Sequence, residues 1–319
     1  MKRFWHVREL STIAILIFEI LFFGWYLWPD GSRSHPFLNA ENALLILKYS
    51  SIYGIAAVGA AVVIISGGID LAPGSIIALA SVVCGALFVD AGWGLGASLM
   101  AALSVGVGAG ALSAILIVAV KLPPFIATLG VMGITRGLAF IVTEGRYFDL
   151  SSKLSGGWRP LGLPADWVAP LVMIALAIVF QILMTRFQWG RQIFSIGGNE
   201  TAALFSGVAV GPIKTSVYLL SGLLAAVAGV VLALVQGQGK ADLATGYELD
   251  IIASAVVGGA SLSGGRGSVL GAVLGTLIFG VLRNALPQIP GATFYDRLIV
   301  GLAVIVIVVM DQLLLKRGE

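Results

Sequence analysis

Long apolar runs return along the whole chain, separated by short polar stretches. A helix needs about 20 apolar residues to cross a hydrocarbon layer, and about ten such runs can be placed. They are Leu10–Trp28, Ala43–Ser66, Ala72–Val89, Leu95–Val120, Pro124–Thr143, Trp167–Thr185, Ile213–Gln236, a short Ile251–Ser261, Ser268–Leu286 and Phe294–Leu315. The composition agrees. Of 319 residues, 58% are hydrophobic and only 11% charged, and mean hydropathy is +1.01. Soluble domains carry about a quarter charged residues. Lipid is therefore the expected solvent. The fold class expected is an all-α integral membrane bundle of about ten transmembrane helices. No stretch between the runs reaches the roughly 50 residues of a separate soluble domain, so residues 1–319 read as one membrane domain. The basic start precedes an apolar run with no clear small-residue cleavage site after Trp28. It is read as a retained first span rather than a cleaved signal peptide.

Basic residues concentrate on the cytoplasmic side of membrane proteins. With the N-terminus inside, the inner set comprises Lys2, Arg3, Arg8, Lys121, Arg186, Arg191, Lys214, Arg266, Lys316 and Arg317. The outer set comprises Arg33, Lys48, Arg146, Lys153, Arg159, Lys240 and Arg297. The bias places both termini in the cytoplasm. Trp25, Trp28, Trp93, Trp158 and Trp167 fall near span ends, as an aromatic belt requires. A net charge of +3 without any arginine-rich run gives no reason to expect nucleic acid.

Glycine is abundant, at 42 residues. Gly106-x-Gly108-x-Gly110 and Gly271-x-x-x-Gly275 are expected to put small residues on one helix face, where backbones approach closely. Two segments look broken or re-entrant, near 67–75 and 258–267. VVIISGGIDLAPGSIIALA (62–80) and AVVGGASLSGGRGSVLGAV (255–273) are faintly alike: an apolar run, a Gly-Gly break, then a Gly-Ser helix start. Transporters often carry such repeats, with broken helices beside the transport path. Shared Gly-rich turn chemistry is the alternative.

Enzyme chemistry is hard to find. SGGRGS (263–268) lacks the Lys and Ser/Thr that follow the glycines of a phosphate-binding loop. The two histidines, His6 and His35, stand apart, and Cys84 is the single cysteine. No catalytic residue, metal site or cofactor is expected on this chain, and any ATP hydrolysis would occur on another polypeptide. Ion-coupled carriers usually hold several ionisable groups inside their spans. Here only Glu19, Arg136, Arg283 and Asp311 qualify. Arg283 is expected to snorkel at a span end. Arg136 either snorkels, caps carbonyls or faces a polar cavity.

Four motifs carry a family resemblance: GGIDLAPGSI (67–76), PPFIATLGVMGITRGLA (123–139), GRQIFSIGGNETAALFSGV (190–208) and ELDIIASAVVGGASLSGGRGSVLGAVLGTLI (248–278). In this order they resemble the membrane permease subunit of ribose-type bacterial ABC sugar importers. The resemblance runs from about residue 37 to 315. The first motif has Ala72-Pro73 where that family usually has Ser-Val. Physically, Gly67-Gly68 permits a break. Asp70 stands where an N-cap belongs, with Pro73 and Gly74 near the first turn. It holds a re-entrant turn, lines a path, or does both. Phe125 and Thr128 are three apart and read as sharing a helix face.

The resemblance implies an inner-membrane permease translocating a sugar or sugar-like solute. It works with a cytoplasmic ABC ATPase, a periplasmic sugar-binding protein and a second permease subunit, identical or paralogous. Residues 186–212 would form the cytoplasmic coupling loop. Gly190, Arg191, Gly197, Gly198, Asn199, Glu200, Ala202, Ala203 and Gly207 are assigned to contact with the ATPase. Asn199 is expected to cap a short helix that Gly207 ends. The other reading of this segment is a solvated loop. Asp70, Phe125, Thr128, Arg136 and Asn284 are assigned to the translocation path. The alternatives are an ion-coupled carrier of a small neutral solute and an ABC permease for a non-sugar solute.

Overall fold

Seven of the apolar runs fold into helices long and apolar enough to cross a membrane. The computed structural model describes residues 2–28, 36–154, 163–295 and parts of 298–309. Eleven α-helices lie among the described residues: α1 Lys2–Tyr26, α2 Ala40–Ile65, α3 Pro73–Gly85, α4 Leu95–Ala114, α5 Pro124–Thr143, α6 Ala165–Arg186, α7 Gln188–Gly198, α8 Glu200–Phe205, α9 Val210–Gln236, α10 Tyr247–Val257 and α11 Val269–Ala285. Two π turns, Ala86–Asp90 and Ile115–Ala119, extend α3 and α4. The expected tenth span, Phe294–Leu315, lies largely outside the described residues. The expected eighth run does not span. Its helix, α10, has 11 residues and reaches about 17 Å, against a hydrocarbon thickness of about 30 Å. The polar stretch 186–212, expected as a loop with one short helix, holds two helices, α7 and α8.

The core is central and helical. In α2, 83% of the span is buried, and in α9, 78%; in α5 only 28% is. α2 packs against α11, α9, α6 and α10, while α3 packs against α9, α5 and α4, and α1 rests on α11. Without water, hydrophobicity gives no drive for one apolar helix to prefer another over lipid, so close backbone packing decides. α4 and α9 meet through Gly106, Gly110 and Gly222. A Cβ at Gly222 would fall 2.9 Å from the Gly110 nitrogen and against the Gly106 carbonyl. Gly108 has nothing within 4 Å of its Cβ position. This corrects the expectation of one shared face. Residues two apart point about 200° away from each other, and residues four apart nearly coincide. α10 and α11 meet through Gly258, Gly271 and Gly275 in the same manner.

Both broken segments close with one hydrogen-bond pattern. After α2, Gly67 N–H donates to Ile64 O (2.9 Å) and Gly68 N–H to Val63 O (3.0 Å). After α10, Gly259 N–H donates to Val256 O (2.9 Å) and Ala260 N–H to Ala255 O (2.9 Å). Gly67 and Gly259 take φ of 83° and 95°, the left-handed conformation that such a helix end requires. The faint sequence repeat is thus a repeat of backbone geometry. The next helix then starts at Pro73, or at Val269 behind its N-cap Ser268, whose hydroxyl accepts from Gly271 N–H (3.2 Å).

At the opposite end, a two-residue ladder pairs β1 (Phe148–Asp149) with β2 (Gln238–Gly239). Asp149 accepts from the Ser151 hydroxyl (2.5 Å) and amide (3.0 Å); the hydroxyl bond holds its carboxyl below the usual range. Lys153 Nζ donates to the carbonyls of Phe88 (3.0 Å) and Val89 (2.7 Å), closing the last turn after α3.

The α4–α9 seam makes a direct prediction. Gly222→Val should lower the thermal midpoint of the purified protein in detergent, because overpacking costs about 1–3 kcal/mol. Gly108→Ala should leave it unchanged. Equal midpoints for the two variants would remove this seam from the account.

Candidate functional site

Three glycine motifs, far apart in sequence, meet at the end of α2. Gly265 N–H donates to Ile65 O (2.9 Å). A Cβ at Gly197 would strike that same carbonyl and fall 2.5 Å from the Gly265 nitrogen. A Cβ at Gly264 would fall 2.6 Å from Gly197 O and 3.0 Å from the Gly67 Cα; one at Gly265 would fall 2.7 Å from the Gly198 Cα. Gly264 and Gly265 sit at φ 79° and 69°. Backbone lies directly on backbone, which no residue with a side chain permits here. The two broken turns and the α7 segment are therefore one connected unit.

α7 and α8 lie between the long helices α6 and α9. α7 buries Ile193 and Ile196, and Trp189 Nε1 donates to Ser216 Oγ on α9 (2.8 Å). Gly190 is buried against the backbone of Met184, so it shapes the α6–α7 turn. Arg191 is exposed and donates to Arg186 O (3.3 Å). Asn199 caps α8 as expected: its side chain accepts from Ala202 N–H (2.9 Å). Val208 N–H returns to Ala203 O (3.0 Å), and Gly207 ends the turn at φ 84°. Glu200 pairs with Lys214 (2.5 Å). Ala203 faces inward, while Ala202 is exposed.

The capped turn presents two residues that the sequence reading missed. Leu204 is 57% exposed and Phe205 86% exposed. An adjacent apolar pair inside a polar stretch was the available signal. Gly197, by contrast, faces the junction and not the outer surface.

The five residues assigned to a path do not gather at one place. Asp70 is buried; its carboxylate accepts from Ala72 N–H (2.9 Å) and from Ser221 Oγ on α9 (2.7 Å). It is not the N-cap of α3, which begins at Pro73 after Ala72; instead it spans the turn before it. Thr128 is buried beside it, with its hydroxyl accepting from Leu71 N–H (3.2 Å) and 3.3 Å from Ile69 O. Ser75 and Thr135 bond across the same helices at 2.6 Å. Phe125 is 51% exposed, so it does not share the surroundings of Thr128. Arg136 is a carbonyl-capping arginine. It donates to Ala241 O (2.7 Å), Leu243 O (2.8 Å) and Ala244 O (3.5 Å). Asn284 exchanges amide hydrogen bonds with Asn42 (2.8 and 3.0 Å) near the other end of α2.

Arg283 does not snorkel. It pairs with Asp250 at 2.7 Å and lies 5.7 Å from the ring centre of Tyr53. Tyr53 in turn stacks on Tyr247 at 4.2 Å. These groups hold α2, α10 and α11 together.

Residues 42–309 match a family model described as branched-chain amino acid transport system / permease component. The chain is 36% identical to the ribose import permease protein RbsC of Bacillus subtilis, over 86% of each chain. It is 33% identical to the ribose import permease protein RbsC of Escherichia coli, covering 97% of this chain and 94% of that one. It is 31% identical to the D-allose transport system permease protein AlsC of Escherichia coli, covering 98% and 94%. No solved structure matches.

Within the Gly197-Gly198 pair the geometry separates two roles. Gly197→Ala should lower the thermal midpoint and open the junction to limited proteolysis. Gly198→Ala, with nothing within 4 Å of its Cβ position, should behave as the parent protein. Identical proteolysis patterns for both would dissolve the junction as a structural unit.

Proposed function

The chain belongs to the permease-component family that its residues 42–309 match, and we propose that it forms the gated membrane path of an ATP-driven sugar importer. One observation carries the mechanism: the exposed Leu204–Phe205 pair sits on a capped turn that is joined through Gly197 to both broken segments. In this reading α8 inserts Phe205 into a cytoplasmic ATPase subunit. Buried aromatic anchors of this sort dominate the affinity of interfaces. ATP-driven closure of the ATPase displaces α7 and α8. The junction has no flexible side chain to absorb that displacement, so it passes to the turns at 66–72 and 258–267. Asp70 and Thr128 keep the first of those turns satisfied while it moves, and Arg136 holds the carbonyls of the stretch leading into α10.

The partners in this reading are two ATPase copies, a periplasmic binding protein and a second permease subunit. The setting is the bacterial inner membrane with both termini in the cytoplasm. Lys121, Arg186, Arg191, Lys214 and Arg266 support it by falling toward the junction end, in agreement with the basic bias of cytoplasmic loops. The substrate class follows from relatives named for ribose and D-allose. Sparse ionisable groups within the spans suit an uncharged solute. The family description itself names branched-chain amino acids, which makes a zwitterionic substrate the second reading.

The test is uptake into vesicles holding this chain, its ATPase and its binding protein. Labelled aldose should accumulate only with ATP, and labelled leucine should not. Phe205→Asp should reduce substrate-stimulated ATPase activity tenfold or more, by about 1.4 kcal/mol or more of lost coupling, while insertion is preserved. Uptake that persists with a catalytically dead ATPase, or that collapses only with an ionophore, would sink the proposal.

A further inference from the structure

The junction end holds an open cavity beside the start of α8 that the broken turns leave unused. It encloses about 500 Å³ between the α4–α5 turn and the start of α9. Val118, Leu122 and Val210 supply apolar walls, and Lys121, Lys214 and Glu200 supply charge. Lys214 and Glu200 are paired at 2.5 Å, so the excess charge resides on Lys121, which is exposed. Lys121 also sits at φ 63°, a conformation that a residue with a long side chain seldom adopts. α5 and α9 both begin at this cavity, and neither start has a side-chain cap. The positive ends of two helices thus add to the lysine.

A second, smaller cavity of about 210 Å³ adjoins the first, with Val118 lining both. Its walls are Ala111, Ile115 and Ala119 of α4 and its π turn, with Thr215 and Leu219 of α9. It is an apolar slot beside the charged cup, lying between two membrane-spanning helices. A cationic cup at a span boundary and an apolar slot beside it fit the two halves of one molecule. A free anion would leave the slot empty, and a zwitterionic lipid would bring its own cation to compete with Lys121 for the phosphate.

We propose that cup and slot together bind one anionic glycerophospholipid, with its phosphate at Lys121 and an acyl chain in the slot. Basic pockets between membrane helices recognise lipid headgroups in this way. The binding does not depend on the transport reading; only its assignment to the inner leaflet does.

The experiment uses the purified full-length chain in detergent, analysed by native mass spectrometry. Dioleoyl phosphatidylglycerol, dioleoyl phosphatidylcholine and inorganic phosphate are the probes. One phosphatidylglycerol should be retained in preference to phosphatidylcholine, and excess inorganic phosphate should not displace it. Lys121→Gln should weaken retention about fivefold, and Lys121→Arg should restore it. Ala119→Phe, at an exposed position that fills the slot, should weaken retention without changing the thermal midpoint of the lipid-free chain. Equal retention of both lipids overturns the proposal. So does displacement by phosphate alone, which would mark a free-anion site. So does the absence of any lipid adduct, as would follow if a second polypeptide covers the cup.

Discussion

Inside a hydrocarbon layer there is no water to take up an unpaired amide or carbonyl, and each one left bare costs several kcal/mol. This chain interrupts its helices twice and must satisfy the exposed backbone from within. The Gly67 and Gly259 turns return two amides each to the helix they close. Asp70, Thr128 and Ser221 occupy the first break. Arg136 gathers three carbonyls of the segment leading into α10. Asp70, Thr128 and Arg136 each answer a particular gap in the backbone.

Glycine acts in two ways in this molecule. In the seams between α4 and α9, and between α10 and α11, it removes the side chain that would hold two helices apart. At the junction it also supplies left-handed backbone, at Gly67, Gly264 and Gly265. The first use makes a tight bundle, and the second makes a bundle with joints. The joints are in contact, which ties a surface turn at α8 to the interior breaks.

The spans were legible because length and apolarity alone decide whether a segment crosses a membrane. The ends of the seven membrane-long helices fall within a few residues of the expected ones. The two breaks were legible because Gly-Gly interrupts an apolar run. α7 was not, because an amphipathic surface helix contains no long apolar run and reads as loop when only such runs are counted. Gly108 was misplaced by spacing rather than by composition. The Arg283–Asp250 pair joins different helices, which no local pattern reveals. The cap at Asn199 was plain from sequence, yet the exposure of Leu204 and Phe205 depends on which face α8 turns outward.

Thr128 and Arg136 stand on one face of α5, eight residues apart in the sequence. Thr128 is fastened to the first re-entrant segment and Arg136 to the stretch that leads into α10. Helical rise sets the separation between these two anchors at about 12 Å, and helical twist sets their relative direction. A single residue inserted between them would swing one anchor by about 100° away from its segment. The stretch from Thr128 to Arg136 is thus a ruler whose length cannot drift, even though most of the helix around it faces outward and is otherwise free to vary.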